Sequence, residues 1–146
     1  MEMPVFTIRG KNHRERGVDY GVQCKELIQG VLERYIRFFN GGHTAVSWDE
    51  AKVISKEFLP FIRSYSPELL DELEGIAQGA DVVFDVLLTL NSRSEAMTLV
   101  RRPPSDKEEL DGCSSVAVLP DASANGHTIL AQNWDTYTWQ EFGTVI

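Results

Sequence analysis

Apolar positions follow a helical period up to residue 100 and a strand period beyond residue 112. Before the first helix, Pro4-Val5-Phe6-Thr7-Ile8-Arg9 alternates well enough to predict a short strand. From about Gly17 the spacing becomes three and four. Leu27, Ile28, Val31, Leu32, Tyr35, Ile36 and Phe39 then form one apolar stripe of a helix. Asn40-Gly41-Gly42 stops it, since Gly and Asn enter left-handed geometry cheaply. Ser47-Trp48-Asp49-Glu50 reads as a capping box opening a second helix, which carries Val53, Ile54 and Phe58 and is limited by Pro60. Ser66-Pro67-Glu68 starts a third, with a cap, a proline at the first helical position and an acid near the positive dipole end. Leu69, Leu70, Leu73, Ile76 and Ala77 supply its buried face, and Gly79 is expected to close it. Phe84 to Glu95 reads as a further helix.

Arg101 to Asp111 differs in kind. Two prolines, seven charges and one aliphatic residue cannot bury a face, which predicts an exposed linker. Cys113 to Leu119 is small or β-branched with partial alternation, Pro120 to Gly126 has turn composition, and Thr128 to Asn133 reads as a second strand. The expectation is an α+β chain: a helical part over 1–112, then a β-hairpin opening 113–146. No internal repeat is present.

Composition narrows the function classes. Acids outnumber bases 22 to 14, a net charge of −8, which argues against gripping nucleic acid or an anionic membrane. No apolar stretch approaches the roughly 20 residues of a membrane span, and Met1 to Lys11 lacks the apolar core of a secretory signal. Two cysteines, Cys24 and Cys113, are too few for a disulfide scaffold or a cysteine-only zinc site, so a reduced intracellular setting is expected. All 14 Lys and Arg precede Gly112, whereas Cys113 to Ile146 holds Asp121, Asp135, Glu141 and no Lys or Arg. The charge pattern therefore breaks where the linker meets the first strand.

Cys113 sits at that break, directly after Gly112. A thiol is the best side-chain nucleophile but needs activation near its unperturbed pKa of about 8.5, and no base lies beside it in sequence. One solution is to cut the chain before it, because the freed α-amino group, with a pKa of about 8, accepts the thiol proton itself. Glycine at 112 suits that cut, leaving its carbonyl open to attack. Equally, Cys113 reads as a small buried residue at a strand start. Asn133-Trp134-Asp135 ends the second strand, and a hairpin returns that end beside Cys113. Asp135 would then orient the amino group or help activate the thiol, and Asn133 would add a polar contact. By itself the triplet also reads as a core Trp flanked by turn residues.

Together, Asp111-Gly112-Cys113-Ser114-Ser115, the hairpin and Gln132-Asn133-Trp134-Asp135 resemble the acyl-coenzyme A:6-aminopenicillanic acid acyltransferase (isopenicillin N acyltransferase) family, self-processing N-terminal-nucleophile enzymes. Gly10 through Gly21, with Arg16-Gly17 and Tyr20-Gly21, is similar to the family's glycine-spaced N-terminal segment. Leu73-Glu74-Gly75-Ile76-Ala77-Gln78-Gly79-Ala80, followed by Leu90-Asn91-Ser92-Arg93-Ser94-Glu95, is similar to its helical signature. The resemblance implies a zymogen that cuts itself autocatalytically between Gly112 and Cys113. The new N-terminal Cys113 would carry a thioester intermediate, and Asp135 would match the family's aspartate near the nucleophile. Asn133 and Trp134 would have supporting, more structural roles, and a backbone amide near Ser114 would donate one oxyanion bond.

The substrates so implied are a small-molecule acyl donor, a coenzyme A thioester or an amide, and an amine acceptor such as the β-lactam nucleus of penicillin biosynthesis. Amide hydrolysis on the same fold and a non-catalytic helical binding module are the alternatives. No metal or bound cofactor is implied, the cleaved α and β parts would stay associated, and the location would be cytoplasmic or peroxisomal. The family fold is an αββα sandwich with far more strand than one hairpin, so the chain is expected to be the leading portion of a larger whole. His13, His43 and His127 show no metal-ligand spacing. Cys24 reads as core packing within the first helix, Arg93 and Glu95 as a structural pair, and Asp71, Glu72 and Glu74 as a solvated helix face.

Overall fold

The computed structural model describes residues 4–99, 113–133 and 135, which fall into two units. The first is helical: α1 (His13–Gln23), α2 (Lys25–Asn40), α3 (Trp48–Lys56), α4 (Leu59–Tyr65), α5 (Pro67–Ala80), α6 (Phe84–Asn91) and α7 (Arg93–Leu99). The second is an antiparallel hairpin of β1 (Ser115–Val118) and β2 (Ile129–Gln132), joined through a 3₁₀ turn at Pro120–Ala122. The chain is thus α+β, helices first and a hairpin after, as its periodicity predicts. The expected linker Arg101–Asp111, together with Gly112 and Trp134, lies outside the described residues.

The stripe on α2 buries Ile28, Leu32, Tyr35 and Phe39, and leaves Leu27, Val31 and Ile36 half-buried. Phe39 meets Trp48 of α3 edge to face at 5.4 Å, in the offset geometry that aromatic quadrupoles favour. Leu87 and Leu88 of α6, Ala77 and Ala80 of α5 and Ala96 of α7 complete the core. Ser92 and Ser55 are also buried; Ser92 Oγ lies 2.8 Å from both Ser55 Oγ and the Leu88 carbonyl, so the hydroxyls are satisfied away from water.

The Ser47 capping box forms as its sequence predicts. Ser47 Oγ accepts from the Glu50 N–H, and the Glu50 carboxylate accepts from the Ser47 N–H at 2.8 Å. Those bonds from Ser47, backbone first and hydroxyl second, hold the Glu50 carboxyl below its ordinary range. Ser47→Ala is expected to cost about 1 kcal/mol at neutral pH, read from urea unfolding. Because the Glu50 carboxyl is depressed in the fold, its stabilising contribution is present above the ordinary carboxylate range and fades as pH falls through it. The deficit of the variant should therefore shrink in acid.

Several elements depart from the periodicity. Residues 4–9 make no strand; they are tied to α1, with the Arg9 N–H donating to Asp19 Oδ2 at 2.6 Å and Gln23 Nε2 donating to the Thr7 carbonyl at 3.0 Å. Helix side chains take the place of a neighbouring strand. The single helix expected from Gly17 is two, broken at Cys24, whose backbone leaves helical geometry at φ −102° and ψ 12° while its side chain is buried. On α3 the packed face is Trp48, Ala51 and Ser55, and Val53 is 66% exposed. Small residues that admit a neighbouring helix set this face, and a pattern that counts only large apolar residues misses it. Leu69 is also exposed, to one side of the Leu70 and Ala77 face of α5. Ser92 splits the helix expected over 84–95 into α6 and α7.

Gly79 does not close α5. The helix runs on to Ala80, and Asp81 takes the left-handed cap at φ 56°. Gly79 instead belongs to a close approach of two parallel helices. Gly17 and Gly21 on α1 face Gly75 and Gly79 on α5, so a side-chain carbon at Gly79 would meet the Gly21 Cα at 3.0 Å and one at Gly75 the Gly17 Cα at 3.1 Å. Backbone touches backbone here, which only glycine allows. Ion pairs flank the seam, Arg14 with Glu74 at 2.6 Å and Arg16 with Glu72 at 3.5 Å, and His13 Nδ1 lies 3.4 Å from Glu72. Glu72 and Glu74, read from sequence as a solvated face, therefore bridge two helices. Being exposed, these pairs set register more than stability.

Candidate active site

The hairpin register pairs Ser115 with Gln132 and Val118 with Ile129. Extending it past the strand ends brings Ser114 beside Asn133, and the Asn133 N–H donates to the Ser114 carbonyl at 3.0 Å. The reciprocal bond of the same pair differs. The Ser114 N–H donates to the side-chain Oδ1 of Asn133 at 2.6 Å. Asn and Asp side chains substitute for backbone groups in this way at the ends of regular structure. The Asp135 N–H donates to Cys113 Sγ at 3.3 Å. The thiol lies 3.8 Å from the Asp135 carbonyl, within reach as a weak donor. Asn133 Nδ2 donates to the Asp135 carboxylate at 2.9 Å.

Cys113, Ser114, Asn133 and Asp135, separated by about twenty positions in sequence, are therefore joined by hydrogen bonds at the open end of one hairpin. Cys113 is exposed. Its sulfur is met by the main-chain N–H of Asp135. The Asp135 carboxylate is engaged by Asn133. The Ser114 N–H, one of the backbone amides in this stretch, is taken by Asn133 Oδ1. The bridging use of the Asn133 amide was not foreseen; the signal for it was an Asn at a strand end, two positions before an acid.

The second cysteine has a different environment. Cys24 is buried, and burial pushes its thiol above the ordinary range while its bond with Tyr20 acts the other way. Desolvation likewise raises Tyr20, with Cys24 adding to it. Thiol reagents at neutral pH should therefore report on Cys113.

The remaining candidates play structural parts. Arg93 Nη1 donates to the Leu90 carbonyl at 2.8 Å and its guanidinium stacks over Tyr35 at 4.7 Å, so it stays with its own helices; among the described residues no ion pair joins it to Glu95. His43 stacks on Phe38 with centroids 5.4 Å apart, and His13 lies 2.7 Å from Arg16 Nη2. Among the described residues no group of His, Cys, Asp or Glu has metal-binding geometry. Among them, too, no helix is long and apolar enough to cross a membrane.

Over 123 residues, 80% of its length, the chain is 28% identical to the beta-alanyl-dopamine/carcinine hydrolase of Drosophila melanogaster. It spans 30% of the length of that relative. No protein-family model matches the chain, and no solved structure matches it.

Proposed function

We propose that this chain carries the processing site of a cysteine N-terminal-nucleophile enzyme that cuts itself between Gly112 and Cys113 and then hydrolyses small amides. One observation carries the reading: Cys113 Sγ, at the first residue of the proposed second chain, receives the Asp135 N–H at 3.3 Å while Asn133 holds the Asp135 carboxylate. The similarity to a hydrolase whose named substrate joins a β-alanyl group to an amine supports the reaction class.

In the first step the Cys113 thiolate attacks the Gly112 carbonyl carbon. The peptide C–N bond breaks, the nitrogen takes a proton and becomes the α-amino group of Cys113, and Gly112 is held as a thioester. Water then attacks that thioester, releasing the Gly112 carboxylate and restoring the thiol. Residues 1–112 and 113–146 become separate chains that remain associated. In turnover the new amine takes the thiol proton, the sulfur attacks the substrate carbonyl, and the amine half of the substrate leaves with that proton. Water removes the acyl group. Acyl transfer, as the acyltransferase resemblance implies, differs only in the last acceptor, an amine in place of water. The hydrolase relative favours water.

Intact mass spectrometry of the full chain beside Cys113→Ala tests this. The native protein is expected to appear as two chains separated at Gly112–Cys113 and the variant as one. A native chain that stays whole, or a variant that is cut, overturns the reading.

A further inference from the structure

We infer that Asn133 is the positioning residue of this site: its amide, bridging the Ser114 N–H and the Asp135 carboxylate, sets how Asp135 faces Cys113. The inference rests on the reading above. Asn133 stands where the strands part. Its N–H donates to the Ser114 carbonyl at 3.0 Å, and its Oδ1 takes the Ser114 N–H at 2.6 Å in place of a backbone carbonyl. Two residues on, the Asp135 N–H lies 3.3 Å from Cys113 Sγ. The other end of the amide fixes the Asp135 carboxylate at 2.9 Å. One side chain thus holds both the register of Cys113 and the orientation of Asp135.

The requirement is specific. A side chain here must accept at one atom and donate at the other, at a fixed separation, and Asn does so at every pH. An Asp keeps the acceptor but loses the donor unless protonated. Among the described residues of the hairpin unit the other ionisable side chains, Asp121 and His127, lie in the connection at the far end and do not face this amide.

Asn133→Asp therefore separates positioning from simple closure of the hairpin. Two carboxyls at hydrogen-bond distance share one proton, so acid restores an O–H donor toward Asp135 while the second oxygen still accepts from Ser114. The rate of self-cleavage is followed by intact mass from pH 5 to 8 for the full native chain and for N133D. The ratio of variant to native should fall at least about tenfold at the alkaline end and return to within about threefold near the acid end. A variant that matches the native chain at every pH overturns the inference, since closure of the hairpin alone would suffice. So does a variant slow at every pH, which marks loss of the fold. An uncut native chain, judged against Cys113→Ala, defeats the parent reading; a cut native chain with a flat ratio defeats this inference alone.

Discussion

Gly21→Ala is expected to destabilise the helical unit by about 2–3 kcal/mol, against the gain of up to about 1 kcal/mol that alanine normally brings to a helix interior. The added methyl would stand 2.8 Å from the Ala80 N and 2.9 Å from the Gly79 Cα, and closer still to the Ile76 carbonyl. All three are backbone atoms, so no side chain can rotate away and the helices must separate. Separation lengthens every contact along the seam, including those at Gly17 and Gly75. Urea unfolding should show a lower midpoint with an unchanged slope. Gly126→Ala provides the contrast. Its φ is +68° with nothing within 4 Å of a side-chain carbon, so it should cost only local strain of about 1–2 kcal/mol and leave the helical unit's transition in place. Pairing Gly21→Ala with Gly79→Ala should cost less than the two singles together, because a helix already displaced by one methyl has room for the second. Additive losses would show that the two glycines act independently and that the seam is not one close contact.

That seam marks the boundary of what the sequence makes legible. Large apolar residues at helical spacing located α2, and Ser47-Trp48-Asp49-Glu50 located the start of α3 with its capping bonds, because both signals are local. Gly17, Gly21, Gly75 and Gly79 were visible as a family-like spacing, but their physical work is a contact between segments about sixty positions apart. Nothing in either segment alone states that the other lies against it. The buried face of α3 failed for a related reason. Ala51 and Ser55 are small because α6 packs closely there, while Val53 merely looks like core. At the hairpin, composition and turn signals predicted two strands whose ends meet, and the register follows from that pairing. The conjunction of Cys113 with Asp135 was therefore readable from topology. What was not readable is which atoms meet: the sequence suggests a carboxylate at the thiol, and the structure puts a main-chain N–H there.

This difference has a consequence for Asp135. Asp135→Asn preserves the main-chain N–H that meets Cys113 Sγ, and its side-chain oxygen still accepts from Asn133 Nδ2, so the backbone of the site should hold. The carboxylate charge alone is removed. In the proposed cycle that charge serves the freed α-amino group of Cys113, holding it where it takes and returns the thiol proton. Loss of an oriented proton carrier lowers turnover by about 10²–10⁴-fold. Hydrolysis of a small amide by the processed protein, the proposed reaction, is therefore expected to fall at least about a hundredfold in the variant. Alkylation of Cys113 by iodoacetamide, followed peptide by peptide so that Cys24 is counted separately, should change by no more than about threefold, because the main-chain N–H that meets the sulfur survives. If alkylation falls in step with turnover, the carboxylate rather than the N–H governs the sulfur. If turnover is unchanged, Asp135 has no part in the chemistry. The expected split, turnover lost and thiol reactivity kept, would assign the two halves of one residue to two tasks: the backbone to the nucleophile and the side chain to the amine that activates it.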